Sequence, residues 1–265
     1  MSGDDIAVLL GIGLVAGFIG GLLGIGGSAI FIPAATLIIG PAQHVYQAAA
    51  MILNVVISLT ATIKHARKGA IRKKVIRRML PAAIGLVLVG AWISNHLDGT
   101  VLTVGFGVLL WLIAASELRS LLKRSPSSDK PKPPREGSGV LAPIGGSMGF
   151  IGGLLGVGGG VLAVPILRQW ARFNMREAVA ASACVTLPMA AIGAIYKNAT
   201  LHTIVESGEP LRVAESFSIA ACLIPTAIIG SWLGASLVHR MPMVSIRWAF
   251  IALLIFAGFR MTGVW

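Results

Sequence analysis

Residues Gly17–Pro33, GFIGGLLGIGGSAIFIP, return 132 positions later as Gly149–Pro165, GFIGGLLGVGGGVLAVP, with 11 of the 17 paired positions identical. Both copies sit inside long apolar stretches. Adjacent glycines destabilise a helix, and a helix that stops inside a bilayer bares backbone groups that lipid cannot satisfy. Such breaks persist where protein buries them or where they line a cavity. The same break written twice in membrane-like sequence points to a transporter built from two halves.

The surrounding composition sets the class. Of 265 residues, 55% are hydrophobic and 12% charged, with a mean hydropathy of +0.84, which excludes an ordinary soluble domain. Apolar runs at Ile6–Leu23, Val45–Ile63, Met79–Ile93, Val101–Leu122, Ala178–Tyr196, Ala214–Val238 and Met243–Met261 approach or exceed the roughly 18 to 20 residues that span a bilayer. The expected fold is an all-α polytopic membrane protein. Its start, MSGDDIAVLL, has no positive n-region, so the first segment is expected to stay uncleaved. Cys184 and Cys222 lie in apolar runs without a CxxC or a His cluster and read as small hydrophobes.

The net charge of +12 is concentrated. Eight of the 22 Lys/Arg fall in Lys64–Arg78 and six in Arg119–Arg135, between apolar spans, where positive charge marks the cytoplasmic side of a multi-pass inner-membrane protein. Loops 64–78 and 119–139 are therefore expected in the cytoplasm, against anionic headgroups. Nucleic acid is not an expected partner, because no aromatic interleaving or binding motif accompanies the basic runs.

The glycine-broken segments have two readings. Ile6–Ile39 spans 34 residues, and as one straight helix it would reach roughly 51 Å across a hydrocarbon core of about 30 Å. It either crosses once with a kink or folds back as a re-entrant hairpin with its tip at Gly24–Gly27. With loop 64–78 inside, the hairpin leaves 19 Lys/Arg inside and three outside (Lys197, Arg212 and Arg260), whereas a single crossing gives 17 and five. The hairpin is preferred. Each half then holds a hairpin plus three spans, and the second half is inverted relative to the first. The expected division is a first membrane repeat at 1–122, a flexible cytoplasmic linker at 123–139 containing SPSSDKPKPPREGSG, and a second repeat at 140–265.

The doubled GxxGGLLGxGG motif, each copy followed by a proline and the two separated by a basic central loop, resembles the TauE/SafE family, also called the 4-toluene sulfonate uptake permease family. The resemblance covers nearly the whole chain in length, span number and repeat layout. It is sharpest at Gly20-Gly21 through Gly24, Gly26 and Gly27, and at Gly152-Gly153 through Gly156 and Gly158–Gly160. It implies movement of sulfur-containing anions such as sulfite, thiosulfate or organosulfonates. The first copy has Ser28 where the second has Gly160, so the two breaks are not assumed equivalent.

A sulfur oxyanion needs hydrogen-bond donors and some positive potential, without a grip too tight for release. A helix restarting after Gly26-Gly27, and again after Gly158-Gly159, offers N–H groups and the positive end of its dipole. Gly24, Gly26, Gly27 and Ser28, with Gly156, Gly158, Gly159 and Gly160, are the expected anion cradle. The four-residue recurrence of Gly13, Gly17 and Gly21, and of Gly145, Gly149 and Gly153, reads instead as close helix packing. Pro33 and Pro165 shape or end the returning helices.

Gln47, Met51, Asn54 and Ser58 share one helical face after the first hairpin, and the repeat offset maps Asn54 onto Thr186, with Ser182 a turn earlier. Asn54, Ser182 and Thr186 are either substrate-orienting donors or interhelical hydrogen bonds. The same offset pairs Lys64-His65 with Tyr196-Lys197, at the inner end of one helix and the outer end of its counterpart. These residues either attract anions at the two vestibules or, as is expected, snorkel their ammonium groups to the interface.

No enzyme, cofactor or metal is expected. The glycine runs lack a Walker Lys, Gly11–Ala16 has no preceding strand, and the five histidines have no HxxxH or HExxH spacing. Ser28 has no histidine positioned to activate it, which places an intramembrane hydrolase third. The sequence thus favours a secondary transporter with alternating access, with a passive anion channel as the alternative. No carboxylate identifies a coupling ion such as the proton.

Overall fold

The computed structural model describes residues 3–122, 133–206, 209–237 and 243–263; positions 123–132 of the expected linker, together with His239 and Arg240, lie outside the described residues. The described helices are α1 (Gly3–Leu23), α2 (Ser28–Ile38), α3 (Gln43–Arg67), α4 (Lys73–Asn95), α5 (Gly99–Leu122), α6 (Ser138–Leu155), α7 (Gly160–Gln169), α8 (Met175–Thr200), α9 (Val213–Leu237) and α10 (Met243–Met261). A 3-10 turn at Leu201–Thr203 and a short antiparallel ladder, Val205–Glu206 with Glu209–Pro210, join α8 to α9. Seven of these helices, α1, α3, α4, α5, α6, α8 and α9, are long and apolar enough to cross a bilayer. The protein is an all-α, multi-pass membrane protein.

Glycine stripes set the helix pairs. A Cβ on Gly13, Gly17 or Gly21 would lie 2.5, 2.3 or 2.5 Å from the carbonyl oxygen of Leu223, Ala227 or Ser231, so α1 lies backbone to backbone against α9. Gly145, Gly149 and Gly153 bring α6 equally close to Met79, Ala83 and Val87 of α4. Both stripes act as packing surfaces, as their spacing predicts.

These contacts also fix directions. Residue numbers rise together along α1 and α9, and again along α3 and α9, where Ile57 meets Ser231 and Lys64 meets Ser236. Since α1 and α3 run the same way, α2 must run back between them. The chain therefore turns at Gly24–Gly27, where a Cβ on Gly20 would strike Gly26 at 2.8 Å. In the second half α6 and α8 both run parallel to α4: Arg72 meets Glu177, Val87 meets Gly193 and Asn95 meets Thr200. By contrast α3 and α8 are antiparallel, with Ala48 beside Leu201 and Met51 beside Gly193.

Local details depart from the expectations. α3 continues past Ile63 to Arg67 and α4 begins at Lys73, so most of the basic run 64–78 is helical. Arg72 pairs with Glu136 at 2.7 Å and with Glu177, while Arg78 donates to the Glu136 carbonyl. Pro33 and Pro165 end nothing, since each lies inside its short helix. At the start of α8, Asn174 and Glu177 form a reciprocal capping box.

Candidate substrate site

The two breaks are built alike. α1 ends at Leu23, and Gly24 (φ +66°) and Gly26 (φ +79°) carry the chain to α2; Gly156 (φ +73°), Gly158 (φ +68°) and Gly159 (φ +69°) carry it from α6 to α7. These left-handed conformations are cheap only for glycine. The breaks touch: a Cβ on Gly160 would lie 2.7 Å from both Gly24 O and Ile25 Cα. That contact explains the one obvious divergence between the motifs, because the position of Gly160 has no room for the side chain that Ser28 carries.

Asn54, fully buried at the middle of α3, stitches the site together. Its Oδ1 accepts from the backbone N–H of Gly27 (3.0 Å) and of Ser28 (3.3 Å). Its Nδ2 donates to Ser28 Oγ (3.0 Å) and to the Gly156 carbonyl of the other break (3.3 Å). Ser182 returns the crossing, donating from α8 to the Gly24 carbonyl at 3.0 Å. Thr186, at the offset position of Asn54, donates to the Gly158 carbonyl at 2.9 Å. The first N–H groups of α7 thus lack the side-chain acceptor that Asn54 supplies to α2, among the described residues.

All eleven residues expected at the site converge, and all are buried. The N–H groups at the start of α2, which the sequence reading leaves free for an anion, are bonded to Asn54. Ser28 Oγ accepts from an amide, and no basic side chain pairs with it among the described residues.

A polar seam extends from this centre along α3 and α8. Gln47 Nε2 donates to the Leu154 carbonyl at 3.3 Å, and its side chain packs on Gly156. Ser94 Oγ of α4 donates to Gln47 Oε1 at 2.9 Å, and Lys197 Nζ of α8 donates to Ser94 Oγ at 2.8 Å. Lys197 has 0% of its surface exposed, so its expected snorkelling is overturned. The turn after α8, with Leu201 and Ile204, closes over this end of the bundle. The signal for Lys197 was present in the repeat offset, which pairs it with His65; both are buried, at 0% and 1% exposure.

Comparison with known proteins agrees with this architecture. The family model described as Sulfite exporter TauE/SafE matches residues 9–261. A curated protein of Magnetospirillum gryphiswaldense, named "Probable membrane transporter protein MamO", is 22% identical over 275 residues, covering 92% of this chain and 43% of its own length. A protein of the same name from Paramagnetospirillum magneticum is 22% identical over 268 residues, covering 90% of this chain and 41% of its own length. The chain thus spans less than half the length of these curated relatives. No solved structure matches.

Proposed function

Because the chain belongs to the sulfite exporter TauE/SafE family, a family of membrane transporters, we propose that it carries small sulfur-containing anions, sulfite or an organosulfonate, by alternating access around the paired glycine breaks. The observation that carries this reading is the acceptor at the start of α2. Asn54 Oδ1 holds two convergent N–H groups at a helix N-terminus, the geometry an oxyanion oxygen takes there. An arriving anion displaces the Asn54 carbonyl from Gly27 and Ser28 and gains the N–H groups that open α7. The cradle relies on backbone donors and a helix dipole, so binding stays weak enough for release.

Alternating access is supported by the reciprocal packing. First helix pairs with fourth in both directions, α1 with α9 and α6 with α4, and the third helices of the halves are antiparallel. We read residues 1–122 and 140–265 as inverted repeats joined by the 123–139 linker, rocking about the α3–α8 seam. Arg72, Arg135, Arg168 and Arg172 gather at the end of the bundle where α4, α6 and α8 begin. By the positive-inside rule that end is cytoplasmic.

Counterflow in proteoliposomes loaded with unlabelled anion tests the reading. Saturable exchange of labelled sulfite or a small sulfonate, competed by sulfur anions and not by chloride, is expected. Absence of such exchange by folded protein refutes the sulfur-anion assignment. Conductance without saturation or counterflow identifies a channel.

A further inference from the structure

We propose that Lys197, with Ser94 and Gln47, forms a second anion subsite that neutralises the substrate's charge beside the glycine breaks. The inference rests on the anion-transport reading and adds to it a charged residue that the backbone cradle lacks.

Lys197 stands on α8 with its ammonium out of contact with solvent and, among the described residues, a single protein acceptor, the Ser94 hydroxyl at 2.8 Å. No carboxylate lies within 4.0 Å of that ammonium among the described residues, whereas Arg72, in the same protein, holds two. A buried cation is costly unless paired, and a neutral hydroxyl does not pair it. Ionisable groups inside membrane bundles characteristically face a substrate or ion pathway.

The relay from Lys197 leads to the cradle. Ser94 accepts from Lys197 and donates to Gln47 Oε1, and Gln47 donates to Leu154 O while covering Gly156. Three side chains from α8, α4 and α3 thus link a cation to the second break. An oxyanion entering the seam meets the two ammonium N–H donors not given to Ser94 and the second N–H of the Gln47 amide, and the Ser94 hydroxyl joins them by giving up its bond to Gln47 Oε1. Pairing relieves the cost of burying the ammonium, so the cation favours occupancy without holding the anion by charge at the cradle itself.

The test uses the full chain in detergent, with thermal unfolding followed as anion is added, because a ligand that binds the folded state raises its stability as concentration passes Kd. Probes are sulfite, methanesulfonate, taurine, sulfate, acetate and chloride. Wild type is expected to be stabilised by a sulfur anion. Lys197→Met should raise the half-saturating concentration by about 30-fold or more, as loss of one desolvated charge partner does. Lys197→Arg should keep it within about fivefold of wild type, and Lys197→Gln, which keeps a donor for Ser94, serves if the Met variant does not fold. Unchanged sulfite binding in folded Lys197→Met or Lys197→Gln overturns the subsite and leaves the sulfur-anion reading intact. Stabilisation only by a non-sulfur anion, lost in those variants, overturns the sulfur-anion reading and keeps the subsite. Wild type stabilised by no anion overturns the subsite. Normal anion binding with loss of only pH-gradient-driven transport also overturns it, and makes Lys197 a proton carrier.

Discussion

Asn54 is the side chain on which both halves depend, and its chemistry can be tested by replacing one atom. Asn54→Asp keeps the shape but puts a carboxylate against the N–H groups of Gly27 and Ser28 and removes the donor to Gly156. If the α2 N-terminus is the anion seat, this fixed charge occupies it, and exchange should fall by at least about 100-fold while the fold survives, since a carboxylate is favourable at a helix N-terminus. Asn54→Ala leaves buried groups unpaired and should destabilise by about 1–3 kcal/mol, read as a lower unfolding midpoint. Folded Asn54→Asp that exchanges anion normally would show that the seat lies elsewhere. Asn54 was legible in the sequence because it shares a helical face with Gln47 and Ser58, and Thr186 because the repeat offset names it. Lys197 departs from its expected place at the interface for a physical reason. Hydropathy ends the span at Tyr196, but α8 runs on to Thr200 and the following turn folds Leu201 back onto Ala48, so a residue at the end of the apolar run is inside the protein. Tertiary cover of that kind leaves no periodic trace along the chain.

At the scale of helices, the glycine stripes and the glycine breaks do different work, and substitution separates them. A Cβ on Gly17 would sit 2.3 Å from the Ala227 carbonyl, whereas one on Gly11 of the same helix meets nothing within 4 Å. Gly17→Val should therefore force α1 from α9 and cost about 1–3 kcal/mol, the usual penalty for overpacking. Gly11→Ala should be neutral or stabilising by about 0.5–1 kcal/mol through helix propensity. Unfolding midpoints of the two variants in one detergent check the contrast, and equal shifts would mean that the α1–α9 contact is not close. This division was readable beforehand, since four-residue spacing marks packing and adjacent glycines mark a stop. The return of α2 was only weakly readable, because the two crossing schemes differed by two residues in their charge partition. What settles it is register: α1 and α3 both run with α9, a fact no local pattern encodes. Gly27 and Gly159 also diverge despite their matched positions, the first helical at φ −90° and the second left-handed at φ +69°. The side chains facing the two breaks differ as well: Asn54 accepts from the N–H groups of Gly27 and Ser28, whereas Thr186 donates to the Gly158 carbonyl and, among the described residues, accepts from no N–H at the start of α7.

For the whole molecule, alternating access requires the α3–α8 seam to open at one end while it closes at the other. Arg72 bridges Glu136, which precedes α6, and Glu177 in the first turn of α8, so it ties the starts of α4, α6 and α8 together. Arg72 is 39% exposed, and exposed ion pairs contribute only about 0–1 kcal/mol to stability. That is too small to unfold the protein and large enough to move a two-state equilibrium up to about fivefold. Cys184, buried on α8 between Ser182 and Thr186, is a native reporter of opening, provided that the half-buried Cys222 is first replaced by Ala. In Cys222→Ala protein, Glu177→Gln should raise the rate at which a membrane-impermeant maleimide labels Cys184 from the Arg72 side by up to about fivefold, with an unfolding midpoint shifted little. Excess sulfur anion should slow that labelling if substrate and reagent share the seam. Labelling unaffected by Glu177→Gln would mean that the ionic cluster braces the bundle without gating it. Labelling equal from both faces in the wild-type background would instead mean a continuous pore, and would favour a channel over a carrier.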